Sequence, residues 1–326
     1  MNRNPLKRLL QTTRRPHRLR RRPGNQTHAE ILEDRTLLAT INVTTFDDVV
    51  AADGEVSLRE AITQANGSAA ADEIILPAGT YTLTLTGTPE DNNVSGDLDL
   101  LTDIVIRGAG AGDTIIDAGG DSGIGERVIH ALGDGTVTIE DVTIRGGRDG
   151  GGAGILNRSV LTVIDSTISG NQVNFVGGGG GGIMNLRSAA RARIISSTIS
   201  ENSASHGGGI WSLNASLVVV NSTISGNTAT DSGGAILSFS DGVDNSAEAL
   251  ILQSTITGNH QQTRGGAVNS GFQNGSTSAV LQICNSILVR NTGAEGNLWQ
   301  SDPGVISLGH NLSDDDANGR SRSRVV

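Results

Sequence analysis

Short apolar runs such as Leu217-Val-Val-Val220 return along the second half of the chain at long, nearly regular intervals. Between them one pattern repeats: Asp165-Ser-Thr-Ile-Ser-Gly-Asn171, Ser196-Ser-Thr-Ile-Ser-Glu-Asn202, Asn221-Ser-Thr-Ile-Ser-Gly-Asn227 and Gln253-Ser-Thr-Ile-Thr-Gly-Asn259. Asn285-Ser-Ile-Leu-Val-Arg-Asn291 is a variant copy, and Asp141-Val-Thr-Ile-Arg-Gly146 a degenerate one. The closing asparagines lie 31, 25, 32 and 32 residues apart, a period that marks a solenoid. A glycine-flanked aliphatic falls once in each interval, at Gly154-Ile155, Gly182-Ile183, Gly209-Ile210, Gly234-Ala-Ile236 and Gly266-Ala-Val268. No interval holds enough consecutive helix formers for a helix. Helical repeats are therefore excluded, and a parallel β-coil remains.

Coils of this kind stack as neighbouring parallel strands about 4.8 Å apart, so equal positions lie above one another. Ile168, Ile199, Ile224, Ile256 and Leu288 are expected to form one aliphatic column. Cys284 aligns with Val220, Ile195 and Ile164 and reads as a core filler. Asn171, Asn202, Asn227, Asn259 and Asn291 are expected at a corner, in left-handed backbone, with amides bonding coil to coil.

Residues 41–85 carry a different pattern. Leu58, Ala61, Ile62 and Ala65 fall at helical spacing, Ser57 is a natural N-cap, and Glu60 completes a capping box. Glu73-Ile-Ile-Leu-Pro-Ala-Gly-Thr-Tyr-Thr-Leu-Thr84 then reads as strand, turn and strand. Asp53-Gly-Glu-Val-Ser-Leu-Arg-Glu-Ala-Ile62 followed by Ile75-Leu-Pro-Ala-Gly-Thr-Tyr81 resembles the CSLREA domain that opens many bacterial right-handed β-helix proteins, with Val56 in place of the motif's Cys. In a β-helix such a helix would cap the first coil and hide an open sheet edge.

Charge divides the chain. Residues 1–24 hold nine of the 24 Lys/Arg and no acid, so the remainder carries 15 basic against 34 acidic groups, a net of −19. A body of that charge is a poor partner for nucleic acid. The single Cys284 excludes a disulfide scaffold, and no run of about 20 apolar residues is present to form a transmembrane helix. The basic start lacks the apolar segment of an ordinary secretory signal. It ends in Ala29-Glu-Ile-Leu-Glu-Asp-Arg-Thr-Leu-Leu-Ala39, where Leu32, Glu33, Arg35, Leu37 and Leu38 resemble a segment near the N-terminus of many large secreted or surface proteins of planctomycete-type bacteria. That resemblance implies export; a nucleic-acid-binding arm is the competing reading of residues 1–39.

The repeats also resemble those of the chlamydial polymorphic outer-membrane protein (Pmp) family, most closely at Gly233-Gly-Ala-Ile236 and Gly265-Gly-Ala-Val268, although Thr-Ile stands where family copies carry Phe. This implies an extracellular or outer-surface β-helix with an adhesive role toward a cell-surface or matrix polysaccharide or protein. The rival is a polysaccharide-degrading enzyme, whose chemistry needs carboxylates at defined separation or Ca²⁺-binding acids with a base. Candidate acids on the repeats are Glu140, Asp141, Asp165, Glu201, Asp231, Asp241, Asp244 and Glu248, with Asp141 and Asp165 one coil apart, and His206 lacks a repeat-borne partner. Asp314-Asp-Asp-Ala-Asn-Gly319 fits half an EF-hand loop, but its twelfth position is Val325. No catalytic, metal or cofactor site is expected. A candidate binding stripe is Leu156, Met184, Trp211 and Leu237, which follow the inward aliphatics and in a regular strand would point outward, while the favoured alternative is that a bend or bulge turns these residues inward as well. The sequence thus reads as a basic leader (1–40), an all-β right-handed parallel β-helix, a pectate-lyase-like solenoid (41–312; cap 41–85, repeats 136–300), and a polar tail (313–326). Nothing in it fixes the oligomeric state.

Overall fold

Each Thr-Ile copy becomes a three-residue strand, and these strands lie side by side in register. In the computed structural model, which describes residues 38–87, 90–242, 246–263, 267–272, 279–293, 297–300 and 305–314, Ile144, Ile168, Ile199, Ile224, Ile256 and Leu288 form one buried column. Among the described residues nine strands make up this sheet, and further sheets of ten and eight strands run alongside it. Successive coils add a parallel strand to each sheet, as in Val160–Ile164, Arg191–Ile195 and Ser216–Val220. The fold is a right-handed parallel β-helix, the hand that strand-to-parallel-strand crossovers almost always take. A fourth sheet of five short strands, including Gln172–Val173, Ser203–His206 and Thr228–Ser232, lies in the segments between the nine- and eight-stranded sheets.

Two polar ladders hold neighbouring coils together and explain why Ser and Asn flank the repeated Ile. Ser166, Ser197, Ser222, Ser254 and Ser286 are buried, and each hydroxyl accepts the N–H of the matching residue one coil earlier while donating to the carbonyl two residues before itself. The asparagine ladder is stronger. Asn202 donates its amide N–H and side-chain Nδ2 to Asn227 Oδ1 (both 3.0 Å), and Asn227 does the same to Asn259 Oδ1 (3.0 and 2.9 Å). Polar groups buried in a coil interior are stable only when paired in this manner.

The asparagines bond coil to coil, but they do not adopt the left-handed backbone expected of them. That conformation falls one residue earlier, at Gly170, Glu201, Gly226, Gly258 and Arg290 (φ 57–64°), which frees the Asn side chain to face inward. Cys284 also departs from expectation. It shares a register line with Leu252, Val220, Ile195 and Ile164, but this line faces out and Cys284 is only half-buried. The inward residues are Val163, Ile194, Val219, Ile251 and Ile283, one position before.

At the N-terminal end, helix α1 (Leu58–Asn66) has the expected capping box, with Ser57 Oγ accepting Glu60 N–H and the Glu60 carboxylate accepting Ser57 N–H. Leu58, Ala61, Ile62 and Ala65 face the core. Arg59 is buried with them and bonds Asp48 through Nε (2.7 Å) and Nη2 (3.3 Å), and the carbonyls of Asp97 and Gly96 through Nη1 and Nη2. Burial alone would raise Asp48, but the Arg59 guanidinium and the N–H groups of Leu85 and Thr84 outweigh it and hold its carboxyl below the usual range.

Candidate functional site

The eight-stranded sheet carries an outward-facing register line of varied chemistry. Its strands include Leu98–Leu100, Ile129–Ala131, Ile155–Asn157, Ile183–Leu186, Ile210–Leu213 and Ile236–Ser240. Their even positions pair in register as Asp99, His130, Leu156, Met184, Trp211, Leu237 and Asn269. The four residues expected as a binding stripe therefore form one continuous column pointing away from the core.

That column is not an open apolar face. Leu156 and Leu237 are only 5% and 4% exposed, while Met184 and Trp211 are half-buried. The physical reason lies in the glycine-rich segments, which fold back over the column. A Cβ on Gly179 would come within 2.1 Å of Trp211 Cε3, so the indole of one coil lies on bare backbone of the preceding one. Behind them Ala153, Val173 and Ala204 form a small second core. His206, for which the repeats offered no partner, stands beside Trp211 (ring centroids 5.4 Å apart) and bonds Ser232 Oγ through Nδ1 at 3.1 Å.

The N-terminal end of the same column is polar and was not anticipated from the sequence. Asp99 and His130 are buried, and Asp91, on the segment that leads into strand Leu98–Leu100, reaches over them. Beside this trio opens a pocket of about 220 Å³ lined by Glu90, Asp91, Asp97, Glu126, Arg127 and Asp149. Arg127 bonds Asp97 at 3.0 Å and also pairs with Asp149. Burial, with repulsion from Asp99 and Glu126, pushes Asp97 up to about 7 against the pull of Arg127. Glu126 is raised too, chiefly by burial.

Of the candidate acids of the repeats, Asp231 approaches His206, with Oδ2 3.7 Å from Nδ1, and three others have structural surroundings. Asp141 and Asp165 stand in left-handed backbone (φ 59° and 45°), as do Ser196, Asn221, Gln253 and Asn285 in the coils that follow. Glu140 shares Arg107 with Glu73 on the outer face of the ten-stranded sheet. Asp244, the export-segment residues Leu32, Glu33, Arg35 and Leu37, and the tail from residue 315 on lie outside the described residues, whereas Leu38 is exposed directly before the first strand, Ala39–Asn42. Among the described residues no helix is long and apolar enough to cross a membrane.

Comparison with known proteins agrees with the coil. Residues 221–238, which run from an Asn-Ser-Thr-Ile copy to the following glycine-flanked aliphatic, match the Chlamydia polymorphic membrane protein repeat. Among solved structures the chain is similar to the pectate lyase Pel9A, with a TM-score of 0.54 and 14% identity over 83% of this chain and 69% of the lyase. At that identity the likeness concerns the fold alone. No curated protein sequence matches the chain. The chain is thus an all-β parallel β-helix whose coils include a repeat of the polymorphic membrane protein type.

Proposed function

We propose that the protein is a secreted or outer-surface β-helix with a structural or adhesive role, directed at a cell-surface or matrix polysaccharide or protein and working without catalysis. The observation that carries this reading is the membrane-protein-type repeat at residues 221–238, together with the recurrence of its Ser-Thr-Ile element in four coils. The CSLREA-like opening and the basic leader ending in Leu32, Glu33, Arg35, Leu37 and Leu38 support export in the same direction. The half-exposed Met184 and Trp211, with the exposed Phe175 and Val176, are apolar contacts such a surface offers a ligand. The two acids one coil apart, Asp141 and Asp165, occupy a corner whose left-handed backbone Asp and Asn tolerate better than most residues, so their recurrence has a conformational explanation and needs no catalytic one.

Cell fractionation with a salt-varied nucleic-acid pull-down tests the proposal. The full chain is expected outside the inner membrane, shortened near Ala39, and a form lacking residues 1–39 is expected to stay in the cytoplasm. An uncleaved cytoplasmic protein bound to DNA or RNA with steep salt dependence would refute it. Release of unsaturated or reducing sugar ends by the purified protein, lost in Asp141→Asn/Asp165→Asn, would replace adhesion by glycan cleavage.

A further inference from the structure

We propose that Asp91, Asp99 and His130 bind a divalent transition-metal ion of the Zn²⁺ type, which clamps the segment after residue 90 onto the outer face of the first coils. His130 Nδ1 lies 3.4 Å from Asp91 Oδ1 and 3.5 Å from Asp99 Oδ1, and the side chains of His130 and Asp99 are 3% and 0% exposed. Both ring nitrogens of His130, and Asp99 Oδ1, are buried without a hydrogen-bond partner among the described residues. Groups like these are costly to leave unsatisfied in a protein interior. The separations exceed the 2.7–2.9 Å or so of a charge-assisted hydrogen bond. They instead match the distance of about 3.3–3.4 Å between two donors bound 2.0–2.1 Å from one tetrahedral ion. One ion placed between the three donors would satisfy His130 Nδ1 and Asp99 Oδ1 together.

The donors are held for this task by the fold. Asp99 and His130 face each other in register on adjacent parallel strands, so their side chains leave the sheet on the same side. The other oxygen of Asp99, Oδ2, accepts the Asn93 N–H at 2.8 Å, which orients the carboxylate and leaves Oδ1 toward the histidine. Asn93 is itself tied to helix α1 through Arg59 O and Thr63 Oγ1. Asp91, 63% exposed, completes the set from the solvent side and gives an ion its way in. An imidazole among the ligands selects against Ca²⁺ and Mg²⁺, which take oxygen donors, and for Zn²⁺ and its neighbours. Three protein ligands leave a fourth position for water.

The test titrates Zn²⁺ into the full-length chain against a chromophoric chelator, beside Asp91→Asn and His130→Gln. Wild type is expected to take up one equivalent that excess Ca²⁺ or Mg²⁺ does not displace, and X-ray absorption should show one nitrogen donor among oxygens. Both variants should bind at least tenfold more weakly. Asp91 is exposed, so its variant keeps the test valid if His130→Gln fails to fold. Asp91→Asn with wild-type affinity, displacement by Ca²⁺, or no stoichiometric uptake by wild type would overturn the proposal and leave the trio an interior ion pair.

Discussion

Replacing Asn227 by Ala isolates one rung of the asparagine ladder. Asn227 Oδ1 accepts two hydrogen bonds from Asn202, and Asn227 Nδ2 donates to Ile199 O and Asn259 Oδ1, all between 2.9 and 3.0 Å. The substitution removes these bonds and leaves two donors of Asn202 buried without an acceptor. At roughly 1–3 kcal/mol for each orphaned donor, the expected loss is about 2–6 kcal/mol. At the top of the ladder Asn171 Oδ1 accepts only the Gly147 N–H among the bonds seen, so Asn171→Ala should cost about half as much. Equilibrium urea unfolding supplies the free energies, with hydrogen exchange at the Asn202 amide as a local readout, because a solenoid can open coil by coil. Asn227→Asp adds a second handle. Its carboxylate would face the two acceptors that Nδ2 now satisfies, so burial and repulsion should raise its pKa in the folded state. Stability of that variant should then be greatest at acid pH, where the group is protonated and can donate, and fall as pH rises. A loss below about 1 kcal/mol for Asn227→Ala, with Asn202 protection unchanged, would refute the claim that the ladder binds the coils.

Three further outcomes follow from the core and its end. Ile224→Asp puts an unpaired charge into the aliphatic column at a fully buried position and should cost several kcal/mol or abolish folding; a soluble, cooperatively melting variant would remove Ile224 from the column. Asp48 has a depressed folded pKa, so its contribution is complete above its unfolded value of about 3.8 and disappears as pH falls through the lower folded one. Asp48→Asn should strand the buried Arg59, cost about 3–5 kcal/mol at neutral pH, and shrink the acid-side loss of stability seen by circular dichroism. Gly207→Ala should destabilise by more than about 1 kcal/mol in thermal melts, because φ is +56° there and the new methyl would come 2.4 Å from Ile210 O.

The parts of this molecule legible in the sequence are those that repeat and those set by a local motif. A stacked coil converts sequence spacing into vertical alignment, so the Ile column and the coil-to-coil asparagines could be read directly, and the capping box of α1 could be read because its partners lie three residues apart. What the spacing does not contain is the phase of each strand. Leu217-Val-Val-Val220 is apolar throughout, and only Leu217 and Val219 face the core. The same ambiguity misplaced Cys284, which follows the inward Ile283. The covering of the Leu156–Leu237 column also escaped, because it depends on where glycine segments fold, and glycine carries no apolar signal. The acid–histidine trio left a faint trace: Asp99 and His130 are 31 residues apart, one coil period, and each sits between two aliphatics, Leu98 and Leu100 or Ile129 and Ala131. Asp91 has no such trace, since its position is set by a segment outside the repeat.

That contrast bears on where function resides in a fold of this kind. Inward positions are constrained by their neighbours above and below, so Ile follows Ile and Asn follows Asn, and they can say little about a ligand. An outward line is free of that constraint, and the line through the eight-stranded sheet uses the freedom: Asp99 and His130 at one end, aliphatic and aromatic side chains in the middle, Asn269 beyond. A purely architectural solenoid would have no reason to bury an aspartate and a histidine side by side on such a line, where an aliphatic pair would pack without loss. The departure from the repeat is therefore a functional signal separate from the repeat that supports a surface role, and it directs metal and ligand searches to the N-terminal coils, where the pocket beside Arg127 opens.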